Sequence, residues 1–417
     1  MRKIFIIFCT LIFCHGYSFA QLTIENCYEK AKANYPLIKQ YGLIEKSKEY
    51  NLSNAGKNYL PQLSLSAKAS YQSDVTEIPI SIPGLKGLAK DQYSVSLDLN
   101  QTIWDGGVTH SKKALANAAA DISRNQLDVD LYALNDRVNQ LYFGILLLDA
   151  YLQQNKLLQE ELQWNNDKIS SYIANGVANQ SDLDAIRVEQ LKAAQNKAGL
   201  LSNRKAYLAV LSSLIGEQLT DSVYLEKPVF QDVSSIININ RLELNLFDAQ
   251  NNNLEMQKKM LNANNMPKIG FFITGGYGRP GLNMLNSEFD AYYIGGLKLS
   301  WNFGSLYTKK NDIHLIEMNQ RALSAQKETF LFNTNLTLTQ EQNTIQKQQD
   351  LLKYDDEIIT LRTNVKNASE AKVANGTISV TDLMRDVIDE DLAKQSKMQH
   401  EIELLQSLYN LKYITNN

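Results

Sequence analysis

The feature that most constrains this chain is a long internal repeat. The ten residues ANGVANQSDL from Ala174 return as ANGTISVTDL from Ala374. The flanking sequence repeats too, because the proline-containing stretch at 58–71 aligns with the stretch at 264–277. Solenoid repeats are only ~20–50 residues long. A separation of about 200 residues therefore predicts a duplicated half-domain, each half running helix, strand, loop, strand, long helix, turn, helix.

The repeated ten residues have the chemistry of a helix–turn–helix tip. Gly176 suits the left-handed conformation that ends a helix, and Asn179 suits the N-cap of the next helix. Asp182 falls at the third helical position, where it completes a capping-box pattern and its charge is favourable at the positive helix end. The matching residues of the second copy are Gly376, Ser379 and Asp382. The sequence thus predicts two helical hairpins, each with its own tip.

Four stretches alternate apolar and polar residues with the period of two that marks a strand. Each is about 10 residues long, which suits a tilted strand crossing a bilayer. The alternating residues are Leu63, Leu65, Ala67, Ala69 and Tyr71; Tyr93, Val95, Leu97, Leu99 and Gln101; Ile269, Phe271, Ile273 and Tyr277; and Leu297, Leu299, Trp301 and Phe303. The predicted membrane-interface aromatics near the strand ends are Tyr71, Tyr93, Trp104, Tyr277, Tyr292, Tyr293 and Trp301. The pattern leaves open a pair of hairpins packed on a soluble core.

Between the strand regions the sequence permits very long helices. No proline occurs between Pro83 and Pro228 or after Pro280. An apolar seam steps by four and three through Leu127, Leu131, Leu134, Val138, Leu141, Ile145, Leu148 and Leu152. Such a seam is typical of a coiled coil, and the polar residues around it indicate a narrow apolar stripe with water on much of the remaining surface. A helix from near Gly107 to Asn175 would be on the order of 100 Å long, too long for a compact globule.

The N-terminal residues and the charge balance limit the class of protein. Arg2 and Lys3 precede an apolar run and a small-residue pattern, which predicts a secretory signal peptide over residues 1–20. Cys27 is then a lone cysteine, so no intramolecular disulfide is expected. The net charge is −3 and no large basic face is evident, so we expect no nucleic acid partner. No later apolar run approaches the ~20 residues of a membrane helix, so a membrane role would use strands.

Four strands are too few to close a barrel in lipid. An unpaired backbone group there costs several kcal/mol, and the smallest membrane barrels have ~8 strands. Cyclic assembly must therefore supply the missing strands. Two chains would give eight strands and a lumen filled by side chains, whereas three would give twelve and leave room for a passage. The sequence therefore favours a trimer.

An ordered set of motifs spans the chain after the signal peptide. It comprises LTIENCYEKAKANYPLIKQ from Leu22, the helix-ending Leu60-Pro61, the strand-to-helix QTIWDGG from Gln101, and the repeated Asn-Gly turns with Asp-Leu. In this order the motifs resemble the TolC-like outer membrane efflux protein family. The resemblance implies a mainly α fold with transmembrane β: a long α-helical barrel in the periplasm, with four β-strands per chain contributing to a trimeric 12-stranded barrel in the outer membrane.

The resemblance also implies function and partners. The expected function is a passive exit duct, in which a homotrimer surrounded by outer membrane lipid receives substrates from an inner membrane pump of RND or ABC type. A periplasmic adaptor (membrane fusion) protein would join the two. No cofactor is expected. The alternative is a periplasmic coiled-coil scaffold or adaptor without a pore, whose strands form a small packed domain.

By resemblance, the hairpin tips close the pore and contact the adaptor. Asp382 resembles the first of the family's two constriction aspartates, and the second maps to Arg385. The predicted constriction residues are Asp382, Arg385, Asp386 and Asp182, with Asp386 as a substitute for the lost carboxylate. The predicted adaptor-contacting tip residues are Gly176, Val177, Gly376 and Thr377. The tyrosine and arginine of the family's closing contacts fall on Val373 and Ile378.

Two departures from the family pattern affect the expected local structure. Cys27 stands where the family usually has alanine, and the second Gly-Gly is replaced by Gly304-Ser305, so we expect a differently built bend in the second half.

The expected domains follow the chain in order. They are the signal peptide (1–20), N-terminal periplasmic helices (21–61), the first β-hairpin (62–104), first-half periplasmic helices (105–216) with a tip at 174–182, a linker (217–235), a second-half periplasmic helix (236–267), the second β-hairpin (268–303), and second-half periplasmic helices (304–417) with a tip at 374–382.

Other function classes find little support in the sequence. Gly276, Gly278 and Gly281 match a nucleotide-binding spacing, but Pro280 and a loop follow instead of a helix, so we expect these glycines in the loop between the third and fourth strands. The histidines at 110, 314 and 400 have no second ligand at helical spacing, so no metal site is predicted. No nucleophile–base pair is evident, and the chain is not expected to be an enzyme.

Overall fold

The structure, a computed structural model, describes residues 22–76, 87–176, 178–229 and 238–416. The predicted signal peptide and Val177 lie outside these residues. The helices are α1 (Ile24–Asn34), α2 (Gln40–Gly56), α3 (Val108–Tyr132), α4 (Leu134–Ala174), α5 (Gln180–Ile215), α6 (Leu242–Asn264), α7 (Leu306–Ala374) and α8 (Val380–Thr415). The strands are β1 (Gln62–Tyr71), β2 (Asp91–Trp104), β3 (Lys268–Arg279) and β4 (Asp290–Ser300). The predicted fold class is confirmed: a mainly helical, internally duplicated chain with four strands.

The four strands form one antiparallel sheet in the order β1-β2-β3-β4. The register pairs Leu65 with Leu97 and Leu97 with Gly275, and a bulge interrupts the β2–β3 pairing between Thr102 and Trp104. In the part of the chain that the structure describes, β1 and β4 each have a neighbouring strand on one side only. Both outer edges of the sheet are therefore open.

The two faces of the sheet differ sharply in polarity, because the alternation of each strand stays in register across all four. The apolar face carries Leu63, Leu65, Ala67, Ala69, Val95, Leu97, Leu99, Ile269, Phe271, Ile273, Tyr293, Leu297 and Leu299. The polar face carries Ser64, Ser66, Lys68, Ser94, Ser96, Asp98, Asn100, Lys268, Thr274 and Lys298, together with Phe272, Tyr292 and Ile294. On the apolar face Leu65 and Leu297 are each 73% exposed, so the other described residues do not cover it.

The glycines near the end of β3 were wrongly placed by the sequence. Gly276 and Gly278 lie inside β3, and only Gly281 follows it. The ring of Tyr292 lies over Gly276, where a Cβ would come within 2.4 Å of it. Gly278 is equally close to β2, because its Cβ would lie 2.7 Å from the carbonyl oxygen of Tyr93. Close side-chain and strand contacts, and not loop flexibility, therefore explain these two glycines.

The long helices occur where the sequence predicts them, with one interruption. α7 has 69 residues and is about 100 Å long. The first-half helix is divided at Ala133 into α3 and α4, although Ala133 itself keeps right-handed helical angles. The seam is buried at Leu127, Leu131, Leu134, Val138 and Ile145 and half-buried at Leu141, Leu148 and Leu152. None of the helices in the described ranges is both long enough and apolar enough to cross a membrane.

A hydrophobic core joins the two halves near the chain termini. It contains residues of α1, α4, α5 and α8, including the fully buried Cys27, Phe143 and Leu211. The hydroxyl of Tyr142 is within 2.7 Å of the carbonyl oxygens of both Leu22 and Glu226, which fastens the segments before α1 and after α5 to α4. Burial raises the pKa of the Cys27 thiol to about 12, so this cysteine acts as a small apolar core residue.

The strand-to-helix bends of the two halves are built differently, as the missing second Gly-Gly predicts. After β2 the carboxylate of Asp105 accepts hydrogen bonds from the backbone N–H of Gly107 at 3.0 Å and of Thr109 at 2.7 Å. Gly106 and Gly107 have positive φ angles of 72° and 88°. After β4 the side-chain oxygen of Asn302 accepts from the N–H of Gly304 at 3.0 Å, and Ser305 has right-handed helical angles. The second bend therefore does not need a left-handed glycine.

This difference predicts unequal effects of two glycine-to-alanine changes in the first bend. At Gly106 a Cβ would lie 2.5 Å from the Cβ of Met266, whereas at Gly107 nothing lies within 4 Å. Both positions have positive φ, which costs an alanine roughly 1–2 kcal/mol. We expect Gly106→Ala to lower the thermal unfolding midpoint distinctly more than Gly107→Ala, measured by circular dichroism in detergent. Equal effects would show that the contact with Met266 is relieved without cost.

Candidate channel constriction and hairpin tips

The first tip joins α4 to α5 through a capping box. Gly176 has φ 75°, and its N–H donates to the carbonyl of Ile173 at 3.0 Å. Asn179 is the N-cap of α5, where its side chain accepts from the N–H of Asp182 at 3.2 Å and its own N–H donates to the Asp182 carboxylate at 3.0 Å. Asp182 is therefore engaged in capping its own helix. The capping prediction is confirmed at this tip.

The second tip, between α7 and α8, follows the same design with one change. Gly376 has φ 67°, and the N–H of Asp382 donates to the hydroxyl oxygen of Ser379 at 3.1 Å. Here the Asp382 carboxylate accepts from the Ser379 hydroxyl at 2.7 Å, in place of the backbone N–H that Asp182 binds. Gly376 and Thr377 are exposed, as is Gly176 at the first tip. These three residues lie in the exposed turns of the two hairpins.

Asp382 and Arg385 form an ion pair along one face of α8. The guanidinium of Arg385 lies 3.3 Å from the carboxylate of Asp382, and both side chains remain substantially exposed. The hydrogen bond from Ser379, followed by the charge of Arg385, holds the pKa of Asp382 below its ordinary value. The two charges are thus already partnered within one chain, and Asp382 stays ionised well below neutral pH.

Asp386 does not share this exposed position. Its carboxylate accepts a hydrogen bond from the Ser369 hydroxyl of α7 at 2.6 Å, and Ser369 is buried. A step of four residues instead of three turns Asp386 around the helix toward its own hairpin partner. This geometry argues against Asp386 as a replacement for the lost constriction carboxylate. Its visible role is to hold α7 against α8.

An apolar cluster lies behind the tips and joins the two hairpins. It combines Leu158, Leu162 and Ile169 of α4, Ile186 and Ala193 of α5, Val373 of α7, and Val380, Leu383, Met384 and Val387 of α8. Val373 is buried in it and Ile378 packs against it. At these two positions apolar packing takes the place of the polar closing contacts that the family resemblance implies.

A cluster of buried charged side chains lies farther from the tips along the same hairpins, and the sequence analysis did not identify it. The Lys366 ammonium of α7 lies 2.7 Å from the carboxylates of both Glu161 of α4 and Glu390 of α8. Glu390 is only 2% exposed and also receives Lys394 at 2.9 Å. Burial alone would raise the pKa of Glu390, but hydrogen bonds from Lys366, Thr363 and Lys394 lower it to about 2. The two hairpins are therefore linked by a buried charge network.

The predicted interface aromatics lie at two levels on the sheet. Tyr71, Tyr93, Tyr277 and Tyr293 lie toward the loop ends of their strands, and Trp104 and Trp301 lie at the helix ends. Between Tyr93 and Trp104 the strand runs about 35 Å, or about 27 Å in height at the usual tilt, close to the ~25 Å apolar band of outer membrane barrels. Tyr292 departs from the set, because it lies on the polar face while its neighbour Tyr293 lies on the apolar face.

The described residues contain no group of three or more histidine, cysteine, aspartate or glutamate side chains suited to a metal ion.

Residues 27–217 match the model of the outer membrane efflux protein family. The match covers a little under half of the chain. The match confirms the resemblance to this family seen in the sequence and, together with the solved structures, supports an outer membrane protein with a long periplasmic helical part.

Solved structures extend the likeness to both halves of the fold. The outer-membrane channel OprN superimposes with a TM-score of 0.71 at 12% identity, covering 94% of this chain and 89% of that chain. VceC from Vibrio cholerae gives 0.67 at 13% identity, covering 94% of each chain. The open state of MtrE from Neisseria gonorrhoeae gives 0.68 at 12% identity, covering 94% and 89%. A search of curated proteins finds no match. At these identities the structures establish the fold.

Proposed function

We propose that three copies of this efflux protein assemble into one channel, the passive exit duct of a tripartite system. The observation that carries the proposal is the open sheet with one apolar and one polar face. Lipid does not tolerate open sheet edges. Pairing β4 of each copy with β1 of the next would remove every edge, direct Leu97 and its apolar neighbours to lipid, and enclose a polar lumen. Residues 62–104 and 268–303 would then form the outer membrane part.

The long helices offer a matching surface for neighbouring copies. Tyr354, Ile358, Leu361 and Val365 of α7 step by four, three and four residues, and each is 45–63% exposed in the single chain. Val188 and Leu191 of α5 are also exposed. An apolar seam with this spacing is the kind that pairs helices in coiled coils. Packing between copies would bury these side chains and complete a periplasmic helical barrel.

The hairpin tips would then lie at the periplasmic end of the duct. We propose that Gly176, Val177, Gly376 and Thr377 contact a periplasmic adaptor protein, and that Asp382 and Arg385 line the constriction with Asp182 close by. An inner membrane pump of RND or ABC type would deliver the substrate and supply the driving force. Exposure of Gly376 and Thr377 and the ion pair on α8 support these roles.

Assembly and conductance test the proposal directly. The protein is extracted from outer membranes in detergent, its mass is determined by native mass spectrometry, and it is then inserted into planar lipid bilayers. We expect a trimer of the mature chain that produces discrete conductance steps. A soluble monomer or dimer, or a trimer that never conducts, would contradict the channel and leave the scaffold alternative.

Reversing the charge of Arg385 is expected to make the pore more cation-selective. Arg385→Asp replaces an ion pair with two carboxylates on each chain, and a ring of like charges in a constriction attracts the opposite ion. The reversal potential in a KCl gradient should shift severalfold toward cation preference, while the charge-preserving Arg385→Lys should leave it near that of the original protein. No shift in Arg385→Asp would mean that residue 385 does not line the constriction.

A further inference from the structure

Positive charge is concentrated on the polar face of the sheet, at the end where the strands meet the helices. Lys268 begins β3 and Lys298 lies near the end of β4, and the pairs Lys268↔Ser300 and Gly270↔Lys298 place the two lysines at neighbouring levels on that face. Lys112 of α3 reaches the same place. All three line a cavity of about 360 Å³ between the sheet and the first turns of α3.

Within the described residues, these three lysines lack a carboxylate partner. Each is exposed, and none forms an ion pair with any residue in the described ranges. The carboxylate in the cavity lining belongs to Asp105, which is 2% exposed and accepts hydrogen bonds from Thr109 and Gly107 within the bend. The chain as a whole has a net charge of −3, so the cluster is not a by-product of a basic composition. Its charge is available to a ligand.

We propose that this lysine cluster is an anion-binding site in the lumen, and that the exported solute is an anion bearing phosphate or carboxylate groups. The proposal rests on the proposed function in one respect, that the polar face lines the pore. Three copies would place nine ammonium groups around the passage just above the helical barrel. An anion leaving the helices would meet this ring before it enters the sheet-lined part of the duct.

The position of the cluster favours a solute over a lipid headgroup. The neighbouring lining residues Asn100 and Thr102 are polar and share the face with Lys298, whereas the apolar side chains of β2 point to the opposite face. A lipid phosphate would bring its acyl chains to the polar face, where the cavity lining is mostly polar and its apolar side chains on this face are Phe272 and Val108. A free anion needs only the ammonium groups and the polar lining.

Binding of a simple polyanion tests the site without requiring an open constriction. Inorganic triphosphate is titrated calorimetrically into the trimer in a neutral detergent at low salt, where charge interactions are weakly screened. The triple variant Lys112→Gln, Lys268→Gln, Lys298→Gln should bind at least about tenfold more weakly, because it removes three positive charges from each copy of the site. In bilayers of neutral lipid the same variant should shift the reversal potential toward cations.

Lys113 provides a matched control. It is adjacent to Lys112, but its ammonium lies 3.5 Å from where a Cβ on Gly56 of α2 would be, and it does not line the cavity. Lys113→Gln and the charge-preserving Lys298→Arg should bind triphosphate like the original protein. The single variant Lys298→Gln alters an exposed side chain, so it should fold and bind more weakly even if the triple variant is unstable. Unaltered binding in Lys298→Gln and the triple variant, or binding only when phosphatidylglycerol is added, would overturn the proposal. Triphosphate binding by a trimer that never conducts would contradict the channel and leave the anion site standing.

Discussion

Leu97→Arg is expected to prevent stable assembly in the outer membrane. Leu97 lies at the middle of β2 on the apolar face and is 51% exposed in the single chain. An arginine facing lipid near the bilayer midplane costs about 2–4 kcal/mol. Three copies in one barrel would together lose roughly 6–12 kcal/mol, which is comparable to the whole stability of a typical domain. The trimer band from outer membrane fractions should therefore disappear or melt at a much lower temperature.

The adjacent residue supplies the control for this prediction. Ser96 belongs to the polar face, where its hydroxyl lies 2.8 Å from that of Ser66 and 3.4 Å from the carboxylate of Asp98. Ser96→Arg would place the same charge in the polar lumen beside that carboxylate, so we expect a trimer of nearly normal abundance and melting temperature. If Leu97→Arg were tolerated as well as Ser96→Arg, the apolar face would not face lipid.

Lys366→Met is expected to destabilise the helical part by about 3–5 kcal/mol per chain, the usual cost of removing one partner from a buried ion pair. The change leaves Glu390 with Lys394 and Thr363 but without its buried cation, and leaves Glu161 unpaired. Burial would lower the pKa of Lys366, but its hydrogen bonds to Glu161 and Glu390 raise it, so the lysine is charged at neutral pH. Thermal unfolding followed by circular dichroism in detergent measures the loss.

A double variant distinguishes loss of charge balance from loss of packing. Lys366→Met combined with Glu390→Met replaces the buried pair with apolar side chains of similar size, which is often close to neutral, so much of the stability should return. Acid provides a second measurement. Because the folded pKa of Glu390 is lowered from 4.5 to about 2, its contribution is present above pH 4.5 and is lost as the pH falls toward 2. If Lys366→Met alone were as stable as the original protein, Lys394 would be sufficient to balance the charge of Glu390.

The sequence was most informative where the determining residues are close together in the chain. Gly376, Ser379 and Asp382 specify the second tip within seven residues, and the cap forms as their spacing predicts. The alternation of β2 likewise reveals an apolar and a polar face before any fold is known. Caps and strand periodicity are local, so they survive whatever the rest of the chain does.

The tertiary structure alone decided how distant side chains meet. Glu161 and Lys366 are separated by 205 residues, and nothing near either residue in the sequence announces their contact. The direction of Asp386 toward Ser369 and the gathering of three lysines around one cavity likewise depend on how α7, α8, α3 and the sheet pack together. The local sequence shows which face of a helix is apolar, but not which charged residues of distant helices will lie opposite one another. The sequence by itself therefore determined the elements, tips and sheet faces, whereas packing determined which charges are paired, buried or left free for a ligand.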